Sequence, residues 1–477
     1  MSGVALINPD LAPVSAERRT WNWWHIASLW IGMAICIPTY TLASGLVDQG
    51  WTWQAAVAAV ILGNLVVLVP IALNSHAGTR YGIPFPVLAR ASFGVLGANV
   101  PALLRALVAC GWFGIQTWIG GWAIYKLIEV MWPGIAVLPQ LLPALVGLNT
   151  GEFLCFILFW AMNVWIVLRG MDSIKFLETW GSPFLLAIGV ALFVWALVRA
   201  GGLGPMLENP DGRADGRTGG LTAVFGAGLT SAVAFWGTMA LSIPDFSRYA
   251  RSQRDQVIGQ AVGLPATMAL FAFIGAAVTS ATAVIFGTRI ADPVALLARI
   301  GGPLMIMVSM AGLTVATLTT NIAANIVAPA NGFSNLAPHR ISFKRGAMIT
   351  AVVGILMMPW RLYNDAAAYI FTWLIGYGAL LGPIAGIMIA DYFVLRRGIL
   401  AVDDLYRRGG VYEYRRGVNG VAIAAFVLGV APSLPGFAAA LTGRPAGGFF
   451  GGVYNWAWFV GFLVSAAVYV AGMRARA

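Results

Sequence analysis

A tryptophan and a glutamine stand four residues apart in the stretch GWFGIQTWIGG, residues 111–121, inside a long apolar run. Positions i and i+4 of a helix share one face. Trp112 and Gln116 would therefore place a flat apolar ring beside an amide that both donates and accepts hydrogen bonds. A buried amide is costly unless it is paired, so the two side chains form a candidate binding face. Packing against lipid is the commoner role of such a tryptophan.

Other polar residues interrupt a second apolar run, ATLTTNIAANIVAPANG, residues 316–332. Thr319 and Thr320 are adjacent hydroxyls, which suit a small hard cation that takes its remaining oxygen ligands from backbone carbonyls. A threonine in an apolar helix more often bonds back to its own helix. Asn321 and Asn325 add two amides, and Asn325 is the harder to explain by packing.

The composition indicates what surrounds these residues. The chain of 477 residues is 59% hydrophobic and 10% charged, whereas soluble domains carry about 25% charged residues. A membrane-spanning helix needs roughly 20 apolar residues, and strand-like alternation is missing, so we predict an all-α polytopic membrane protein. About twelve spans are predicted near 24–46, 51–74, 98–128, 153–169, 183–199, 221–243, 257–287, 303–331, 346–361, 366–395, 418–440 and 452–472.

Charge predicts the orientation. Residues 1–22 are polar and lack the apolar core of a signal peptide, so we expect an N-terminal tail in the cytoplasm. If the N-terminus is in the cytoplasm and the spans alternate, most Lys and Arg residues fall on the cytoplasmic side, as in the loop 396–416. This distribution predicts a cell-membrane protein with both termini in the cytoplasm. The net charge of +11 then reflects topology and anionic lipid rather than a nucleic-acid partner.

Cysteine and histidine do not predict catalysis. The three cysteines fall within predicted spans and read as packing residues, and the three histidines show no metal-binding spacing. We expect no cofactor, and an intramembrane enzyme is the weakest interpretation.

Helix breakers recur in two spans. The first contains Gly32 and Pro38, and the sixth contains Gly237 with Pro244 at its edge. Gly and Pro are common in membrane helices, but a matched pair five helices apart favours two inverted repeats, about 23–199 and 221–395. Secondary transporters of this plan bind substrate and ions beside their broken helices.

Several motifs together resemble the nucleobase:cation symporter-1 family. They are NPDLAP, SLWIGMAICIPTY, LNSHAGTRYGIPFPVLARASFG, GWFGIQTWIGG, SIPDFSRYARSQRDQV, TLTTNIAANIVAPANG and GIMIADYFVLRRG, in this order from residue 8 to about 400. The resemblance implies a LeuT-like fold: a ten-helix core at 23–395 with broken helices 1 and 6, and two further helices within 396–477. It also implies uptake of nucleobase-like rings by alternating access.

The same resemblance assigns roles to individual residues. It implies substrate contacts at Trp112, Gln116, Trp236 and Asn325. It implies a sodium site built from the carbonyls of Gly32, Ile35 and Ala316 and the hydroxyls of Thr319 and Thr320. Cys36 stands where some relatives carry a polar side chain, which puts a substrate contact there in doubt.

We therefore expect a symporter for an allantoin-, hydantoin- or uracil-type ring, coupled to a cation, with sodium favoured. Proton coupling is the competitor, but Glu178, Asp245 and Asp391 all lie near predicted helix ends, where solvated or capping roles are commoner. A permease for another solute, such as cytosine, a purine, a vitamin or an amino acid, stays open. A channel would need a continuous polar pore, which the sparse polar residues do not provide.

Overall fold

The computed structural model describes residues 6–141, 147–169, 171–207, 220–363, 368–442 and 447–476. Within these ranges, nothing is described of the side chains of residues 171–184, 220–224, 319, 323 and 371. Residues 208–219, which separate the fifth and sixth predicted spans, lie outside the described residues.

The described chain is almost entirely helical. Its first half contains α1 Trp23–Ala34, α2 Ile37–Asp48, α3 Trp53–Tyr81, α4 Phe85–Phe93, α5 Asn99–Met131, α6 Thr150–Arg169, α7 Met171–Arg199 and α8 Leu203–Leu207. The middle contains α9 Gly220–Phe235, α10 Gly237–Ser242, α11 Pro244–Ser247, α12 Gln253–Phe286, α13 Pro293–Ile300, α14 Pro303–Asn325, α15 Val327–Leu336, α16 Phe343–Leu356 and α17 Pro359–Leu362. The last part contains α18 Ile375–Ile389, α19 Gly420–Val430, α20 Leu434–Leu441, α21 Gly448–Asn455 and α22 Ala457–Arg474.

Shorter elements connect these helices. π-Helical segments, Ala368–Leu374 and Ala390–Leu395, flank α18 and extend it into one long run. Short 3₁₀ segments lie at Ala16–Arg18, Pro133–Val137, Val402–Tyr406 and Ala431–Ser433. One small antiparallel pair, β1 Gln140–Leu141 and β2 Leu148–Asn149, precedes α6.

Local sequence signals explain several helix ends. The Asn22 side chain accepts hydrogen bonds from the backbone N–H groups of Trp24 and His25 and so caps α1. Gly82 ends α3 with a φ of 71°, a conformation that glycine adopts without steric cost.

Eight helical runs are long and apolar enough to cross a membrane among the described residues, and the bent pair α1–α2 makes a ninth. Shorter apolar helices, Leu185–Arg199 and Phe225–Phe235, lie within the fifth and sixth predicted spans. A polytopic helical protein is therefore confirmed, whereas the count of twelve and the two-repeat boundaries stay predictions.

The helices pack in two groups. In one group α12 packs against α1, α2 and α3, and α3 also packs against α9. In the other, α5 packs against α6, α14, α15 and α16. The groups are joined by α10 and α18, which pack against α3 and α9 and also contact α5, by α7, which packs against α12 and α14, and by the contact of α1 with α14. Trp112 and Gln116 on α5 lie where the two groups meet.

The described part of the predicted N-terminal tail packs against one end of the bundle, which we call the N-terminal end. Arg19 donates from Nη1 to the carbonyls of Thr79 and Arg80 at 3.2 and 3.1 Å. Arg248 donates to the Asp10 carbonyl at 3.0 Å, and Asp10 Oδ2 accepts from the Phe343 backbone at 3.3 Å. Residues 6–22 are thus a packed segment that links helices of both groups.

Candidate functional site

The first predicted helix break is present between α1 and α2. The two helices meet at an angle of 55°, and Ile35 and Cys36 are the non-helical residues between them. Pro38 is the second residue of α2, where a missing N–H costs nothing. Gly32 lies in the last turn of α1. The Ile35 carbonyl thus lies at the interruption, outside the regular part of both helices.

The second predicted break lies at Trp236. This single residue separates α9 from α10 with φ −100° and ψ 8°. The Trp236 ring is buried, contacts Trp30 edge-on at 5.0 Å, and carries an indole N–H without a partner in the described part of the chain. Gly237 begins α10, and Pro244 begins α11. The sixth span is therefore interrupted as expected, with the tryptophan itself at the interruption.

Trp112 lies in an aromatic cluster. Its indole is 6% exposed, and four rings meet it edge-on, with centroids at 5.2 to 6.4 Å: Phe235, Tyr369, Trp373 and Tyr377. Phe235 also contacts Trp236 at 5.1 Å. The two predicted substrate tryptophans are thus joined through Phe235. Lipid-facing packing, the alternative for Trp112, is wrong because the ring is buried inside the protein.

Gln116 lies one turn from Trp112 and is 4% exposed. Its side chain interacts with that of Cys36 at the first helix break. Cys36 also contacts the hydroxyl of Thr39 through its Sγ at 3.3 Å. The predicted binding face of α5 therefore meets the break between α1 and α2.

Asn325 is the last residue of α14, directly before the non-helical Ile326. Its Nδ2 donates to Oδ1 of Asn321 at 3.0 Å. Asn321 Nδ2 in turn lies within 3.1 to 3.3 Å of the Thr117 hydroxyl, the Asn163 Oδ1 and the Phe113 carbonyl. A carbonyl can only accept, which fixes the amide of Asn321 with its nitrogen toward α5. Asn325 must then offer its nitrogen to Asn321, which leaves its own Oδ1 as an acceptor.

The predicted sodium residues lie on two helices that contact each other, α1 and α14. The Thr320 hydroxyl is buried and donates to the Ala316 carbonyl at 3.2 Å. This is the bond back to its own helix that the sequence left open, and it uses the hydroxyl proton while the oxygen lone pairs point away from the bond. The side chain of Thr319 lies outside the described residues. Hydroxyl and carbonyl oxygens are ligands that a sodium ion accepts.

Two carboxylates for which a solvated or a capping role was expected are buried. Asp245 is 2% exposed and accepts from the Phe85 backbone at the start of α4 at 3.0 Å. Asp391 is 1% exposed and pairs with Arg396 at 2.7 Å. A solvated role is therefore wrong for both, because neighbouring elements cover the helix ends on which they lie. The other expected role, helix capping, is the one that Asp245 plays at the start of α4. The side chain of Glu178 is outside the described residues.

Sequence reasoning missed the aromatic residues Phe235, Tyr369 and Tyr377, and the network residue Asn163. The signal for Asn163 was a lone amide in the apolar run of α6. The aromatic residues gave no signal, because rings are common throughout these spans. Gly121 of the opening stretch packs closely against α6: a Cβ there would lie 2.6 Å from the Phe156 Cα.

Comparison with known proteins places this geometry in a family. Residues 13–461 match the family model described as permease for cytosine/purines, uracil, thiamine and allantoin. The chain is 46% identical over 472 residues to the purine-uracil permease NCS1 of Arabidopsis thaliana, covering 98% of this chain and 77% of that relative. It is 42% identical over 473 residues to the allantoin permease of Bacillus subtilis, covering 98% and 93% of the two chains.

Comparison with a solved structure indicates the same family. The transporter Mhp1, of the nucleobase-cation-symport-1 family, in a closed conformation with bromovinylhydantoin bound, superposes with a TM-score of 0.78. It is 28% identical, with 98% of this chain and 96% of that chain covered. The LeuT-like helical architecture expected from the sequence is thereby confirmed. By family match, identity and architecture, this chain belongs to the nucleobase:cation symporter-1 family of membrane permeases.

Proposed function

We propose that this protein is a secondary active symporter that imports an allantoin-, hydantoin- or uracil-type ring together with sodium by alternating access. The observation that carries the proposal is the meeting of Trp112 and Gln116 with two helix interruptions, one at Ile35–Cys36 and one at Trp236. Interrupted helices beside paired aromatic and amide groups provide a water-poor site with exposed backbone and side-chain hydrogen-bonding groups.

In this site a planar ring would lie against the Trp112 indole, with Trp236 on its other side. Aromatic contacts contribute about 0.5–1.5 kcal/mol beyond the burial of area. They report ring shape only, so the choice among rings depends on the amides of Gln116 and Asn325. Since Asn325 offers Oδ1, it would accept an N–H of the ring, as found on an imide, urea or lactam edge. A site of this kind can discriminate by about 10⁴-fold against an analogue that lacks the matching group.

Sodium would bind between α1 and α14 at the Ile35 and Ala316 carbonyls and the Thr319 and Thr320 hydroxyls, with Gly32 completing the set. The ion would hold the two helices together in the state that binds the ring. Coupling of this kind is reciprocal, so sodium tightens ring binding and the ring tightens sodium binding.

Thermal stabilisation of the purified protein tests the proposal. The panel consists of allantoin, hydantoin, uracil, cytosine and hypoxanthine, each with sodium and with potassium in its place. We expect at least one ring to raise the melting temperature, more strongly in sodium, because a ligand stabilises the state that it binds. Trp112→Ala and Asn325→Ala should each reduce the shift, at a fixed ring concentration, to a small fraction of the wild-type value. Stabilisation by no ring, or survival of the shift in both variants, contradicts the proposed site.

Proton coupling is the second candidate, and one observation favours it. The Asp245 Oδ2 is buried and has no hydrogen-bond partner among the described residues. Arg105, also buried, has two guanidinium nitrogens without partners in the same part of the structure. A ring response that ignores sodium and follows pH would move the coupling ion to the proton.

A further inference from the structure

Arg90 and Arg105 are the most deeply buried arginines in the described part of the chain, 0% and 1% exposed. Arg90, on α4, donates from all three of its nitrogens. Its Nε and Nη2 donate to Oδ1 of Asn335 at 3.2 and 2.6 Å, and its Nη1 donates to the Leu405 carbonyl at 2.9 Å. The protein thus supplies an acceptor for every nitrogen of this buried guanidinium.

Arg105, on α5, finds acceptors at one nitrogen only. Its Nη2 donates to the Ser242 hydroxyl at 2.8 Å and lies 4.0 Å from the Met239 sulfur. Its Nε and Nη1 are buried and have no hydrogen-bond partner among the described residues. A guanidinium without acceptors is costly to bury, because it loses water and gains no replacement. The surroundings of Arg105 therefore suit a ligand that accepts hydrogen bonds.

The charge of Arg105 also lacks a counter-charge in contact with it. No ion pair joins Arg105 to a carboxylate within the described ranges. The Asp245 carboxylate interacts with Arg105, but more strongly with Arg248, and its Oδ1 accepts from the Phe85 backbone at 3.0 Å. Its Oδ2 has no partner in the same part of the structure, so an anion at Arg105 would lie on the side of the guanidinium that faces away from Asp245.

Chloride meets both requirements. It carries the missing negative charge, and it accepts N–H donors from several directions. Hydrogen bonds between a charged donor and a charged acceptor are the stronger kind. Its small size suits a place enclosed by the buried side chains of Met239 and Ser242, whereas a carboxylate or phosphate ligand would need more room and further donors.

The position of Arg105 relates such an ion to the site at Trp112. Arg105 precedes Trp112 by seven residues, so the two side chains lie on the same face of α5, about 10 Å apart along the helix axis. Met239 and Ser242 belong to α10, which begins directly after Trp236 and contacts α5. An anion at Arg105 would neutralise the guanidinium and stabilise the contact between these two helices.

We propose that Arg105 binds a chloride ion between α5 and α10, toward the start of α5 from Trp112. The ion is a structural ligand of the folded chain, separate from the ring and from the coupling cation. The proposal does not depend on which ring or cation the protein carries.

Thermal unfolding of the purified full chain tests the proposal, with chloride replacing gluconate at constant sodium and ionic strength and with no ring added. Gluconate is too large for a site of this size. We expect the melting temperature to rise by about 1–3 °C for each tenfold increase in chloride above the dissociation constant, because a ligand that binds only the folded chain stabilises it. A wild-type melting temperature that does not change with chloride overturns the proposal.

Two variants locate the ion. Arg105→Gln removes the charge but keeps an amide donor for Ser242, and it should lose the response to chloride. Arg90→Gln is the matched control: it removes an equally buried guanidinium whose nitrogens are all paired, and it should keep the response. A response that persists in Arg105→Gln, or one that is lost equally in both variants, overturns the site at Arg105.

A measurement on the wild-type chain covers the case in which Arg105→Gln does not fold. Crystals grown in bromide should show an anomalous peak beside the Arg105 guanidinium, and the absence of a peak there overturns the chloride site. Ring binding is measured separately, so either negative result leaves the proposed function intact.

Discussion

The side-chain nitrogen of Asn325 donates to the side-chain oxygen of Asn321 at 3.0 Å. Asn321 is itself anchored to α5 through the Thr117 hydroxyl and the Phe113 carbonyl. The second asparagine of this helix is thus oriented by the first. Asn321 is a positioning residue that determines which atom of Asn325 the site presents.

We predict that Asn321→Ala weakens ring binding about tenfold, or about 1.4 kcal/mol, because Asn325 loses the partner that orients it. The double variant Asn321→Ala/Asn325→Ala should bind no more weakly than Asn325→Ala alone, since Asn321 acts through Asn325. Isothermal titration of the four proteins provides the measurement. Thr117→Ser keeps a hydroxyl for Asn321 and should retain wild-type affinity, whereas simply additive losses would show that Asn321 acts independently.

Phe235 contacts both tryptophans of the proposed site, Trp112 and Trp236, so it should limit the size of ring substituents. We predict that Phe235→Leu shifts selectivity toward 5-benzylhydantoin over unsubstituted hydantoin by about tenfold. The measurement is the ratio of the two ligand concentrations that give a half-maximal thermal shift. This ratio cancels any general loss of stability from the smaller side chain. Phe333→Leu changes a buried phenylalanine in a different cluster and should leave the ratio unchanged. An unaltered ratio in both variants would remove Phe235 from the site.

Thr320→Val tests the sodium site with a matched control on the same helix. Thr320 donates to the Ala316 carbonyl, and Thr314 donates to the Met310 carbonyl at 2.8 Å in the same way. We expect Thr320→Val to raise the sodium concentration for half-maximal uptake at least tenfold, because a methyl replaces a ligand oxygen. Thr314→Val should leave it within twofold. Equal effects of the two variants would reduce Thr320 to a helix-stabilising residue.

Asp245→Asn separates sodium from proton coupling. The amide oxygen can still accept from the Phe85 backbone, so the fold should be preserved. With sodium as the coupling ion, uptake into proteoliposomes driven by a sodium gradient should persist, with an unchanged pH dependence. Asp403→Asn, in an exposed part of the loop after α18, is the control. Uptake driven by a pH gradient that is lost only in Asp245→Asn would instead assign the proton to Asp245.

Spacing on single helices was enough to predict a candidate face. The four-residue separation of Trp112 and Gln116 fixes their common side whatever the neighbours are, because helix geometry is local. The same holds for the break at Pro38. Spacing could not predict Phe235 or Tyr369 beside Trp112, because those residues lie more than a hundred positions away and their types are common in these spans.

The distribution of charged residues predicted part of the arrangement, namely which segments lie at the same end of the bundle. The loop 396–416 and the segment 6–22 lie at the same end, as their basic residues indicated, and Tyr406 donates to the Leu11 carbonyl at 2.8 Å. A solvated Asp245 was one of the two expected roles and is wrong, since a helix end is solvated only when no other element covers it; the other role, helix capping, matches its bond to the Phe85 backbone.

Three properties could be predicted from the sequence: that the chain spans a membrane, at which residues its helices are interrupted, and which polar side chains share a helix face. These properties depend on composition and on residues a few positions apart. The tertiary structure alone decided which faces meet: Gln116 against Cys36, Asn321 against Thr117, and Tyr363 and Tyr369 against α2. Such contacts depend on how distant helices pack, which no local pattern encodes, and they bring separate polar residues together into one site.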